Sequence, residues 1–408
     1  MSDRLNESNK IFSEDFQTKK ELCVTQGAPI EEKAAEISSE VSEGIRKKGD
    51  CFAEEIAGGF ISDFEKTEAM VSEGKADESD RMVHVSTFIV QDGMIYMTYY
   101  ANTKEPSEDP NNQTARFVYC PVSDTDKKTF LDIQSAGDIF SDKKVNMVYD
   151  TILMQKDNDT LYIMWTARID DNYYRFYRPF TISTKKLGEV GVNRFKVGDI
   201  VNDFSVSGIK SALAENNIAI KNMYSDIGIM QKLSCRTENG EVYYYTGAYS
   251  GDFTCIIKSK DLVTWEYVAQ PDFINQSKWE NATYVIGDKC YYFVRQQDEV
   301  KYGFLTCYDL IKEEWEKPVI VEDCQSRSDF IVYKGGLYLF HAPIDREHIG
   351  VIKVDTDDLS KSREILQADM KSSCFYPFVQ YYDNELAMSY TVDRKHIRLA
   401  RFELSRYL

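Results

Sequence analysis

The chain has 408 residues, 43% of them hydrophobic, with 22 Phe and 27 Tyr but only nine Pro, a composition that suits a large core built from β-strands. Its formal net charge of −18 excludes roles in which the surface must meet a nucleic-acid backbone or anionic lipid headgroups. Any site for an anion must therefore be a local cluster of cations acting against the field of the whole molecule.

The first ten residues are polar, with none of the apolar stretch of a secretion signal, and no apolar run reaches membrane-spanning length. Nine Cys, an odd number at irregular spacing, predict reduced thiols and a cytoplasmic protein. No pair has the short spacing of a zinc site, so no metal and no cofactor is expected; Cys23, Cys51 and Cys120 read as packing residues or bystanders.

Residues 1–80 are rich in Glu, Lys, Ser and Ala. Ile30, Ala34, Ile37, Val41 and Ile45 recur at steps of three and four, and Pro29 stands where a helix can begin. The segment reads as a helical N-terminal extension, either packed on the side or bottom of the main domain or serving as a partner-binding or oligomerisation arm.

From Arg81 to the end at residue 408 the pattern changes to repeated hairpins. Six segments share one layout, an apolar strand, a polar turn and an aromatic-rich strand, opening at His84, Tyr149, Ser225, Glu280, Ser328 and Tyr376. Asp-Gly, Asn-Gly and Gly-Gly at the turns are hairpin chemistry. Further strands follow each hairpin, so each repeat is long enough for a four-stranded blade. The expected fold is all-β, a six-bladed β-propeller, with five blades as the alternative.

In such a ring the inner strands line a central channel, and residues at their ends converge on one pocket. These positions supply His84, Asp150, Asp226, Glu280, Arg295, Asp329, Arg346 and Tyr376. Glu280 opens one repeat in "WENATY", and Arg295 in "YYFVRQ" follows fifteen residues later. Arg346 lies just beyond a strand ending His341-Ala342-Pro343, and Tyr376 opens the last repeat.

In this order and spacing residues 81–408 resemble the sialidase (neuraminidase) superfamily. The fragment Ser259 to Trp265 also resembles a shortened Asp-box turn, without its Gly. The resemblance implies that Tyr376 is the nucleophile, Glu280 its base, and Arg295 with Arg346 the clamp on a substrate carboxylate. The chemistry is coherent. A carboxylate on the anomeric carbon would repel an ionised Asp or Glu nucleophile, whereas a tyrosine hydroxyl is not repelled. Guanidinium forks pair both carboxylate oxygens and stay charged. The family's acid/base Asp corresponds to Asp109, with Glu105 and Glu108 close enough to take the role. Where sialidases open the first blade with Arg-Ile-Pro, this chain has His84-Val85-Ser86. The first arginine is thus absent, and either the sugar differs or another cation, such as Arg81 or Arg178, replaces it.

Two other readings compete. Asp150, Asp226 and Asp329 at blade starts fit an acid-pair propeller glycosidase, or a polysaccharide lyase acting with His84, and they fit strand-end caps equally. A non-catalytic propeller binding glycan or protein is the third. Tyr173, Tyr174 and Tyr177, interleaved with Arg175 and Arg178, form either a sugar-stacking rim or blade packing. The expected partner is an oligosaccharide or glycoside, with neither nucleic acid nor membrane.

Overall fold

A computed structural model of the chain describes residues 69–71, 80–219, 222–223, 227–271, 280–296, 302–370, 373–382, 385–402 and 404. The helix expected near residues 29–45, Asp226, Cys23 and Cys51 lie outside the described residues.

The hairpins form where the turn chemistry asks for them. Asp92-Gly93, Asn239-Gly240 and Lys334-Gly335 each place two successive residues at positive φ (50° and 72°, 51° and 82°, 46° and 80°). That backbone twist matches the right-handed twist of the flanking strands. The strands assemble into six sheets. Blade I is built on Met82–Gln91, Met94–Asn102, Gln113–Pro121 and Thr129–Ser135. Blade II centres on Lys143–Gln155, Thr160–Ile169 and Asn172–Thr181. Blade III holds Glu241–Ser250, Phe253–Ser259 and Thr264–Ala269, with Arg194–Val197 added in parallel at its outer edge. Blades IV and V start at Asn281–Ile286 and Asp329–Tyr333. Blade VI contains Cys374–Tyr382, Glu385–Val392 and His396–Phe402.

Six apolar clusters show that these sheets close into a ring, because each cluster joins one pair of neighbours. Phe117 and Trp165 share the seam between blades I and II, for example, while Phe88 and Phe378 meet between blades I and VI at 5.7 Å. Central strands are buried on both faces, as in Gly336–His341, where Leu337 through His341 are all buried. This accounts for their nearly continuous apolar sequence. The chain is the β-propeller that its repeats predict.

Closure is made by the amino-terminal side. Ala69–Val71 pairs antiparallel with His396–Phe402, completing blade VI. These three residues fall within the segment read from sequence as a separate extension, and they add a strand from before residue 80 to blade VI. Among the described residues one α-helix, Val206–Glu215, leads into blade III, capped where Ser205 Oγ accepts the Gly208 N–H at 3.0 Å. No helix among the described residues is long and apolar enough to cross a membrane. Cys235, Cys255, Cys290, Cys307 and Cys324 are free thiols.

Candidate active site

Three inner strands carry the same irregularity. In blades I, II and VI the pairing register slips between His84 and Thr87, Tyr149 and Ile152, and Phe375 and Phe378. Inside each slip one residue sits in the left-handed region: Val85 at φ 55°, Asp150 at 52°, Tyr376 at 56°. Such conformations are costly for residues other than glycine and persist where the fold over-determines them. A bulge re-aims the side chain it carries. All three residues line one cavity of about 460 Å³ at the channel mouth.

Tyr376 and Glu280 meet there. The Tyr376 hydroxyl donates to Glu280 Oε1 at 2.5 Å, and Arg295 Nη1 donates to Glu280 Oε2. The fifteen-residue interval has a simple origin. Glu280 precedes the strand Asn281–Ile286, Arg295 ends its hairpin partner, and Arg295 N–H donates to the Glu280 carbonyl at 3.0 Å. Burial alone would raise the Glu280 pKa. The Arg295 and Arg327 charges and the Tyr376 hydrogen bond outweigh it and hold the carboxyl below its usual range. Burial and the neighbouring Glu280 charge push the Tyr376 hydroxyl well up, against the opposing pull of Arg295 and Arg327. At neutral pH the pair is therefore a carboxylate accepting from a neutral phenol.

Arg346 also reaches this cavity, with Arg327 and Arg394. Three of the four guanidiniums are engaged: Arg295 by Glu280, Arg327 by Asp150, and Arg394 by Glu108 at 3.0 Å. Arg346, half-buried with Cζ 5.1 Å from the Phe375 ring, forms no ion pair among the described residues. The cavity thus sets four arginines against Glu108, Asp150 and Glu280, and leaves one positive charge unmatched. That is the local cationic focus a chain of net charge −18 needs if it is to hold an anion.

Arg327 was not among the residues singled out in the sequence. It lies one position before the repeat that opens at Ser328, fully buried, with its guanidinium 5.2 Å from the centre of the Tyr376 ring. It donates to Asp150 Oδ1 and, at 3.2 Å, to the Tyr249 hydroxyl. Asp150 is further held by Arg175 at 3.2 Å and by the Tyr249 hydroxyl at 3.1 Å. Its oxygens are saturated by two cations and a phenol. Arg81 and Arg178 do not line the cavity; Arg178 Nε donates instead to the Gly188 carbonyl at 2.8 Å.

His84 is not in the wall either. The bulge turns Val85 into the cavity and leaves His84 buried behind it, its ring stacked on Tyr376 at 4.6 Å with Nδ1 3.1 Å from Thr391 Oγ1. Burial first, then the Arg394 and Arg327 charges, depress its pKa well below the usual value, so it is a neutral backing plate. Asp109 is likewise displaced. Its two oxygens are occupied by Asn111 N–H at 3.0 Å, Asn111 Nδ2 at 2.7 Å and Asn112 Nδ2 at 2.8 Å, and the Asn111 and Asn112 bonds lower its pKa. A general acid requires the opposite shift. Its neighbour Glu108 lines the cavity, accepting from the Tyr100 hydroxyl at 2.5 Å.

Asp329 lies away from the cavity, buried against Lys232 at 3.1 Å and accepting from Val379 N–H at 2.8 Å. Burial raises its pKa to about 6 although Lys232 opposes the shift. This link ties blades III, V and VI across the channel. Of the tyrosine cluster, Tyr173 reaches the cavity while Tyr177 packs on Tyr162 at 5.4 Å. No group of three or more His, Cys, Asp or Glu among the described residues is arranged to hold a metal.

No family model matches the chain, and no curated protein matches it by sequence. Solved structures do. The K499G mutant of the NanB sialidase from Streptococcus pneumoniae superposes with a TM-score of 0.51 at 9% identity, covering 84% of this chain and 71% of that one. The same sialidase in complex with 2-[(3-chlorobenzyl)ammonio]ethanesulfonate gives 0.50 at 9% identity, over 84% and 71%. A glycosyl hydrolase from Bacteroides ovatus gives 0.46 at 13% identity, covering 84% of this chain and 94% of that one. At such identities the likeness concerns fold: this chain has the sialidase-like β-propeller architecture.

Proposed function

We propose that the protein is a retaining glycoside hydrolase that removes a terminal acidic sugar from an oligosaccharide. The observation that carries this reading is the Tyr376–Glu280 hydrogen bond of 2.5 Å beside the unpaired guanidinium of Arg346. Arg346 takes the sugar carboxylate, with Arg295 and Arg327 adding positive potential from their paired positions. The Tyr376 oxygen attacks the anomeric carbon as Glu280 accepts its proton, and the bond to the leaving oxygen breaks. Glu108, on the cavity wall with its side chain 36% exposed, takes the acid/base role: released from Arg394 and carrying a proton, it gives that proton to the leaving oxygen. A water, deprotonated by Glu108, then attacks the same carbon, and Tyr376 leaves with its proton restored from Glu280. Inversion twice gives retention.

Asp150 is too heavily paired, and Asp329 too far from the cavity, to serve as the acid pair of a carboxylate glycosidase. Val85, which the bulge turns inward in place of His84, makes that part of the wall apolar. The carboxylate therefore depends on Arg346 more than on a symmetrical triad. The test is hydrolysis of a panel of fluorogenic sialosides and uronides, with the anomer of the first product read by NMR. Release of the retained anomer is expected; an inverted or unsaturated product would replace this mechanism with direct water attack or with elimination.

A further inference from the structure

A second cleft of about 690 Å³ lies beside the central cavity and shares two walls with it. The loop that gives Glu108 and Pro110 to the cavity gives Lys104, Asn111 and Asn112 to the cleft. The strand Lys143–Gln155 gives Met147, Tyr149 and Asp150 to the cavity, and Lys144 and Asn146 to the cleft. Met147 of the cavity and Arg168 of the cleft are paired across the ladder. The two spaces are thus one residue apart along a strand. The cleft volume falls in the roughly 300–1,000 Å³ range of small-molecule sites.

Its lining differs in kind. No aromatic side chain contributes, so a sugar there has no ring to stack on. Recognition falls to amides and charges. Of the two carboxylates present, Asp170 is held by Lys143 at 2.7 Å, which leaves Lys104, Lys144 and Arg168 against Asp171. Lys104 Nζ donates to Asn112 Oδ1 at 2.8 Å. Lys144 and Arg168 form no ion pair among the described residues, and the buried Nε of Arg168 has no hydrogen-bond partner. Two of the cations lining the cleft are thus without a carboxylate partner among the described residues.

We propose that this cleft is the subsite for the sugar adjoining the scissile bond, and that this second sugar is itself a carboxylate-bearing residue. The proposal rests on reading the central cavity as a glycosidase site, and it makes the substrate a run of at least two acidic sugars. Arg168 and Lys144 would take the second carboxylate, and Asn111, Asn112 and Asn146 the hydroxyls.

The experiment is calorimetry on the full chain carrying Tyr376→Phe, which removes turnover. The probes are N-acetylneuraminic acid, its α2,8-linked dimer, and α2,3-sialyllactose, whose second residue is neutral. The dimer should bind about tenfold or more tightly than sialyllactose. That advantage should shrink with salt and vanish in Arg168→Gln and in Lys144→Gln, the latter an exposed position where folding is not at risk. Equal affinities of dimer and sialyllactose, or an advantage that survives Lys144→Gln, overturns the proposal, while binding of none of the three sugars overturns the central reading and the proposal with it. Failure of the central reading looks different: monosaccharide affinity would be indifferent to Arg346→Lys while the dimer's advantage still followed Lys144.

Discussion

Tyr376→Phe deletes one oxygen and asks nothing new of the backbone, since either ring must sit at φ 56°. The lost interaction is a hydrogen bond to a charged acceptor, worth about 1.5–3 kcal/mol. Glu280 keeps Arg295 as its partner, and the buried site no longer has to desolvate a phenol. A net stability loss of about 1–2 kcal/mol follows. At roughly 2–4 °C per kcal/mol for a large domain, the melting temperature should fall by about 2–8 °C. Turnover is a different matter. If the tyrosine oxygen forms the covalent intermediate, kcat on the best fluorogenic glycoside should drop by at least about 10³-fold. The assay is initial rate with circular dichroism melts on the same preparations. A folded variant retaining more than about a tenth of wild-type turnover would refute the nucleophile assignment, however well the geometry persisted.

Arg346→Lys replaces the unpaired fork by a point charge; KM for an acidic glycoside should rise by about tenfold or more, while a glycoside lacking the carboxylate should show no change. Arg327→Met leaves Asp150 buried with one cation instead of two and should cost about 3–5 kcal/mol in urea unfolding, so an unchanged midpoint would contradict the pairing described. His341 is buried 3.0 Å from Glu364; burial alone would lower its pKa, but Cys324 and Glu364 raise it to about 10. The unfolded value is about 6.5, so the native state holds the extra proton between the two. Stability contributed by this pair should be full below about pH 6.5 and decline as pH rises towards about 10, with the slope reduced in His341→Gln; a pH-independent wild-type curve over that window would count against it.

The hairpins were readable because strand and turn chemistry are local, and so was the Glu280–Arg295 interval, which one hairpin fixes. The register of the inner strands was not. A bulge inserts an extra residue, so alternation no longer says which neighbour faces the channel. That is why His84 was expected where Val85 stands. Asp109 and Glu108 were separated for a related reason: the side chain that caps its own turn through Asn111 and Asn112 cannot also reach the pocket. Arg327 could have been found from "QSRSDF", an arginine directly before a blade start. Its role depends on Asp150, Tyr249 and Tyr376, three partners that only ring closure brings to it.

The pairing of Ala69–Val71 with His396–Phe402 bears on how the molecule comes to be folded. Ala69 and Arg398 are register partners although 398 − 69 = 329 positions separate them in the sequence. As the polypeptide is made, five blades can assemble in sequence order from local hairpins, but the sixth must wait for its outer strand to be brought back from the beginning. Contacts of such long sequence separation form slowly, because loop-closure entropy is lost before any ladder bond compensates it. Until then His396–Phe402 is an open sheet edge, able to accept a strand from a neighbouring molecule as readily as its own. The step that completes the ring is therefore also the one at which two nascent chains compete, and dilution should favour the monomeric ring over the exchanged pair.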